Sequence, residues 1–207
     1  MTITDMQPAR RSSRRVNVFL DEEFGFACYM DIASQFGLRK GAELDEADVA
    51  AVREADEQIA AREYALSLAA RGPRSEKQFR EKLRARGYGQ AAQDAALDVL
   101  RTYGYLDDEA YARQYCAELE QKYGRWAMRR KLSERGIAPE IIDRVVAEAD
   151  TDGALTRQLE KLVSRPRYED PRREWDRIVR SLVAKGFDYM EVKEALTKRL
   201  RECGQDE

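Results

Sequence analysis

QFREKLRARGY, residues 78–88, carries a pattern that returns twice more along the chain. Gly87 is followed by Gly136 at a distance of 49 residues and by Gly186 a further 50 on. At fixed offsets before each glycine stand Phe79, Met128 and Ile178, then Leu83, Leu132 and Leu182, then a basic residue, Arg86, Arg135 or Lys185. Tyr88, Ile137 and Phe187 follow the glycines. Residue classes held in register over successive copies define a structural repeat.

One copy has a readable physics. Phe79 and Leu83 are four apart, so they share a helix face that must be buried. Ser75 with Gln78 three later makes a capping box at the helix start, and Gly87 supplies the left-handed residue that ends it. Tyr88 then fastens the exit to the same core. Each copy spells helix, stop, turn, helix, and three short helices bury too little alone, so the copies are expected to stack.

The 207-residue chain is 43% apolar and 37% charged, the balance of a soluble globular protein. Ala, Leu, Glu, Arg and Lys outweigh aromatic and β-branched residues, which favours helix over strand. There is no run of about 18 apolar residues and no apolar signal core. Neither a membrane span nor secretion is expected, and the expected compartment is the cytoplasm. Cys28, Cys116 and Cys203 are widely separated and lack metal-site or disulfide spacing, so reduced thiols are expected. Histidine is absent, which removes the commonest general base and metal ligand.

The net charge of −2 conceals segregation. Residues 122–137 carry Lys122, Arg125, Arg129, Arg130, Lys131 and Arg135 against Glu134, a balance of +5. Residues 43–57 carry seven acids against Arg53, a balance of −6.

Taken in order, residues 1–15 lack periodicity, hold Arg10, Arg11, Arg14 and Arg15, and are expected to form a disordered basic tail. Residues 16–44 are expected to form a β-hairpin, from the alternation of Val16, Val18 and Leu20 and of Phe24, Phe26 and Cys28, and a short helix closed by Gly37. Three-helix repeats are expected over 45–104, 105–150 and 151–207. Asp45 caps the first long helix, and Pro139 opens a later one at a tolerated first-turn position. The stretch SRPRYEDP, residues 164–171, is the least regular join. The expected fold is mostly α, an elongated curved array of tandem three-helix repeats with a small N-terminal β-hairpin.

On the middle helices, Lys77, Arg80 and Arg84 share a stripe opposite Phe79 and Leu83; Arg129 and Arg130 follow in the second repeat, and Arg173, Arg177 and Arg180 in the third. Such a face suits phosphates or an acidic protein groove, and it is also what any solvated helix displays. The residues alone leave both readings open. Arg86, Arg135 and Lys185 read as partners of the helix dipole. Trp126 and Trp175 read as partly buried anchors between repeats. No phosphate loop, nucleotide fingerprint or metal constellation is present, so no enzyme, cofactor or metal is expected.

The runs YALSLAARGPRSEKQFREKLRARGY and VLRTYGYLDDEAYARQY, followed by the segment from Gly124 to Ile137 that ends LSERGI, resemble the RecX family of bacterial recombination regulators. The resemblance extends from about Tyr64 to Leu200, and the hairpin is similar to an amino-terminal extension of some members. It implies a non-enzymatic modulator of the RecA recombinase in recombination, DNA repair and the SOS response; a monomer is expected, though the resemblance does not fix the oligomeric state. Such a protein would bind within the groove of the RecA filament on single-stranded DNA and restrain ATP hydrolysis, strand exchange and coprotease activity. Leu83, Gly87, Leu106, Asp107, Asp108, Leu132 and Gly136 then match as scaffold, and Phe79, Leu182 and Gly186 complete the scaffold motif from the internal repeat. The inferred contacts to filament or DNA are Arg74, Lys77, Arg80, Arg84, Arg125, Arg129, Arg130, Arg172, Arg173, Arg177 and Arg180. The competing class is a helical-repeat DNA-binding protein that acts without RecA.

Overall fold

A computed structural model describes residues 1–10 and 12–203, apart from the side chains of Glu202 and Cys203. Arg11 of the expected tail and the Cys203 thiol lie outside the described residues. The chain opens with strands β1 (Ile3–Pro8), β2 (Arg15–Leu20) and β3 (Glu23–Tyr29), an antiparallel sheet in that order. The expected disordered tail is therefore corrected over 3–8, and the expected hairpin is a three-stranded sheet. Ile3 pairs with Leu20 and Pro8 with Val16, which satisfies the free edge of β2, while Ile3 is only 1% exposed. Arg14 and Arg15 are also fixed. Arg15 pairs with Asp56 at 2.7 Å and lies 4.6 Å over the Tyr29 ring, and Arg14 meets Glu63 at 2.5 Å.

Val16, Val18 and Leu20 are buried, as alternation requires. Phe24 breaks the pattern. Val18 pairs with Phe26 but Phe19 pairs with Phe24, so Gly25 is an extra residue in β3 and the strand changes face there. Phe24 is 61% exposed, edge-on to Phe19 at 6.1 Å. A Cβ on Gly25 would lie 2.7 Å from Leu20 Cδ1, which explains the glycine.

Helix α1 (Met30–Gln35) leads to α2 (Glu46–Ala69). Asp45 caps α2 reciprocally with Asp48: each carboxylate accepts the other's amide, at 2.8 and 3.0 Å. The first half of α2 buries Val49 and Val52 against the sheet; the second half buries Ala61, Ala65 and Leu68 against the next two helices. Much of the acidic run has structural work here. Asp56 accepts from the Tyr29 amide as well as Arg15, and Glu57 accepts from the Gly89 amide.

Helices α3 (Glu76–Ala85) and α4 (Gln90–Thr102) follow, then α5 (Asp108–Leu119), α6 (Arg125–Glu134) and α7 (Pro139–Glu148), then α8 (Asp152–Val163), α9 (Pro171–Ala184) and α10 (Tyr189–Cys203). The middle helices α3, α6 and α9 are those of the glycine repeat, and Gly87, Gly136 and Gly186 have φ of +93°, +81° and +84°. By packing, the chain forms two units. The first joins Met1–Pro73 with Phe79–Leu106; the second joins Arg74–Gln78 with the described residues from Asp107 onward. Phe79 and Leu83 are fully buried in the first unit, Leu132 and Leu182 in the second. Asp107 caps α5 through the Ala110 amide at 2.9 Å, and Asp108 accepts the Glu76 amide at 2.8 Å.

Candidate functional site

In the second unit, one joint is made twice with the same register. Ser75 Oγ donates to the carbonyl of Arg135 at 2.6 Å, and the Gly124 amide donates to the carbonyl of Lys185 at 3.0 Å. The two donors, Ser75 and Gly124, are 49 residues apart and the two acceptors, Arg135 and Lys185, are 50 apart, the period of the repeat. At each joint the start of a middle helix rests on the glycine turn that ends the next one. Lys77 Nζ adds a bond to the Glu134 carbonyl, and the Trp126 amide one to the Gly186 carbonyl. A Cβ on Gly136 would lie 2.5 Å from that of Lys77, and one on Gly186 would fall on the Ala127 backbone. These glycines are therefore required for close approach as well as for their left-handed backbone.

The basic residues expected to form a contact face divide into two groups. Four are engaged internally: Lys77 at the joint, Arg80 with Asp94 at 2.6 Å, Arg129 with Asp143, and Arg177 with both oxygens of Glu174. Arg84, Arg130, Arg172 and Arg173 are exposed. Arg130 and Arg173 have only loose carboxylate neighbours at 3.7 Å, and Arg125 approaches Glu191 at 4.0 Å. Arg180 donates Nε to the Asp176 carbonyl and is otherwise open to solvent. Arg74 is half-buried.

The basic residues that close each repeat have a more specific role than dipole pairing. Arg86 lies 5.0 Å over the Tyr64 ring and Arg135 5.0 Å over the Tyr115 ring. Lys185 donates to Gln158 at 2.5 Å. The two tryptophans differ from each other. Trp175 packs on the last core, whereas Trp126 is 70% exposed and joins its neighbour through its backbone amide, not its ring.

Arg173, Arg177 and Arg180 are brought together. They line a cleft of about 690 Å³ with Leu162, Arg167, Tyr168 and Ser181. Glu174 shapes its rim by accepting the amides of Arg167 and Tyr168, both at 3.3 Å. The Arg177 hydrogen bond holds the Glu174 carboxyl below the usual carboxylate range, and the same bond raises Arg177. The ion pair therefore stays charged. Arg167 and Tyr168 were not among the expected contact residues; their signal was the density of Arg and Tyr inside SRPRYEDP, which reads as loop irregularity until the loop is seen to fold on α9. No group of three His, Cys, Asp or Glu side chains among the described residues is placed to hold a metal. No helix among them is long and apolar enough to cross a membrane.

Three family models match the chain: the regulatory protein RecX N-terminal domain over residues 1–45, the first RecX three-helix domain over 61–100 and the second over 107–146. The chain belongs to the RecX family. Proteins named regulatory protein RecX match over most of their length. That of Clostridium botulinum strain Alaska E43 is 27% identical over 203 residues, covering 96% of each chain. That of Bacillus licheniformis is 29% identical, covering 94% of this chain and 76% of the relative. A crystal structure of regulatory protein RecX aligns with a TM-score of 0.71 at 26% identity, covering 93% of this chain and 98% of that one. RecX from Lactobacillus salivarius has the same fold, with a TM-score of 0.63 at 22% identity over 70% of this chain and 97% of that one.

Proposed function

We propose that this chain regulates the RecA recombinase by binding the RecA filament on single-stranded DNA and restraining its ATP hydrolysis, strand exchange and coprotease activity. Membership of the RecX family supports the regulatory role. One observation about the residues carries the mode of binding. Middle-helix arginines of successive repeats, Arg84, then Arg125 and Arg130, then Arg172 and Arg173, lie at the surface with loose ionic neighbours at most. Tightly paired cations add little to a second partner, whereas loosely held guanidiniums are available to phosphates and carboxylates. Several modest contacts in series give binding that is spread over the chain and sensitive to salt.

The test is a titration of the purified chain into RecA on single-stranded DNA, following ATP hydrolysis at low and at raised salt. A graded fall in hydrolysis that weakens as salt rises is expected. Unchanged hydrolysis at low salt would reject the proposal.

A further inference from the structure

The turn that joins β2 to β3 carries charges that its fold does not need. Asp21 and Glu22 are its two central residues and have φ of +50° and +73°, a backbone that favours Asn-Gly and suits a glutamate poorly. The Asp21 carboxylate accepts the Thr2 amide at 2.8 Å, as an asparagine amide oxygen would, and the Glu22 amide donates to Thr4 Oγ1 at 3.0 Å, as a glycine amide would. Neither bond needs a negative charge. Among the described residues Asp21, Glu22 and Glu23 form no ion pair, and Glu46, which opens α2, forms none either. Beside these acids the bulge at Gly25 turns Phe24 outward, and its ring is held edge-on to Phe19. An exposed aromatic ring fixed next to carboxylates without cations is a feature of recognition rather than of folding.

The ring and the acids share one groove. It encloses about 600 Å³ between this turn and the first half of α2. Leu20, Phe24, Val49 and Ala50 give it apolar walls, and Asp21, Glu23 and Glu46 line it against one cationic side chain, Arg53. Arg53 is turned to the wall: it donates to the Gly25 carbonyl at 3.1 Å and lies 6.0 Å from the centre of the Phe26 ring. We infer that this groove is a docking site for a basic segment of a partner protein, which seats a large apolar side chain against Phe24 and sets lysine or arginine residues beside the carboxylates. The charge excludes nucleic acid and acidic peptides, and the apolar walls give an oligocation alone too little to hold. The volume accommodates a large side chain with the backbone that carries it. All of the lining belongs to the first unit, and none of it is among the basic residues assigned to the RecA filament.

The experiment uses the full chain and a fluorescein-labelled peptide in which a Leu-Trp pair is flanked by arginines on both sides, without recombinase or DNA, and reads anisotropy over a range of salt. Binding that weakens as salt rises is expected. Phe24→Ala should weaken it about tenfold. Asp21→Asn combined with Glu22→Gly should weaken it about threefold or more and flatten its salt dependence, while melting no lower than the parent, because Asn-Gly relieves the turn. Weaker binding with an unchanged or raised melt is an outcome that a purely structural role for these acids would not give. Melts by circular dichroism accompany each variant, and Ala50→Arg, which fills the α2 wall with a cation, replaces Phe24→Ala if the latter unfolds. No binding at low salt, parental affinity in a folded wall variant, or equal binding by the peptide with serines in place of Leu-Trp would overturn the site. Sedimentation of the chain alone completes the test: salt-sensitive self-association lost with Phe24→Ala would assign the groove to a second copy instead. RecA inhibition is measured in its own assay, and none of these results bears on it.

Discussion

Gly124 and Gly186 meet backbone to backbone: the Gly124 amide bonds the Lys185 carbonyl at 3.0 Å, and a Cβ on Gly124 would fall on the carbonyl of Gly186. Their Cα atoms thus mark the tightest point of the repeated joint, where only hydrogen fits. By contrast a Cβ on Gly87, first of the repeat glycines, would have nothing within 4 Å.

The first prediction follows from that contrast. Gly87→Ala meets only its left-handed backbone, φ +93°, and should cost about 1–2 kcal/mol. Gly186→Ala adds overpacking of about 1–3 kcal/mol to a similar backbone cost. Gly124→Ala isolates the overpacking, because φ is −82° there and alanine accepts it. Melting temperatures should therefore fall furthest for Gly186→Ala, at about 2–4 °C per kcal/mol for a chain of this size. A Gly186→Ala melt no lower than that of Gly87→Ala would show that the joint yields.

Thiol chemistry gives a second. Cys28 and Cys116 are buried, and burial pushes both thiols up to about 11. At pH 8 only about one thiol in a thousand at each site is ionised, against roughly a quarter for a free cysteine. Alkylation read peptide by peptide should leave both cysteines unlabelled under conditions that label an exposed thiol, and label them in urea. Fast native labelling of either would contradict its burial.

Acid sensitivity gives a third. Glu109 accepts hydrogen bonds from Arg113 at 2.9 Å and Arg144 at 2.7 Å, and these hold its carboxyl below the ordinary value of 4.5. A carboxyl depressed on folding contributes stability above its unfolded value, and loses it as pH falls through the folded one. Glu109→Gln should thus lower the urea midpoint near neutral pH and make no difference at about pH 2. A deficit that persists in acid would mean that the glutamine disturbs packing rather than charge.

How much of this was legible in the sequence depends on the kind of signal. The helices followed from apolar spacing and glycine stops, because Phe79, Leu83 and Gly87 act locally. β1 was hidden, since ITDMQP alternates too weakly to reveal a strand whose partner edge lies in β2. The exposure of Phe24 was hidden for a related reason: a single bulge at Gly25 reverses the face of every residue before it. Among the candidate contacts, type and helix position were readable but availability was not. Arg80 and Arg84 sit on the same stripe, and only the approach of Asp94 from α4 separates a paired base from an available one.

That distinction yields the last prediction. Arg84→Glu, Arg125→Glu and Arg130→Glu remove exposed cations with loose ionic neighbours at most, so each should leave the melting temperature within about 1–2 °C of the parent. Combined, they should raise the concentration needed to restrain RecA ATP hydrolysis on single-stranded DNA, by tenfold or more at low salt, and flatten its salt dependence. Arg80→Glu and Arg129→Glu should behave in the opposite way. Each places a carboxylate beside Asp94 or Asp143, so stability should fall by about 1 kcal/mol while the effect on RecA changes less. The discriminating quantity is the ratio of lost inhibition to lost stability. If the paired arginines lose inhibition as strongly as the exposed ones at equal stability, the recombinase displaces their internal partners and availability in the free chain does not select the contact surface.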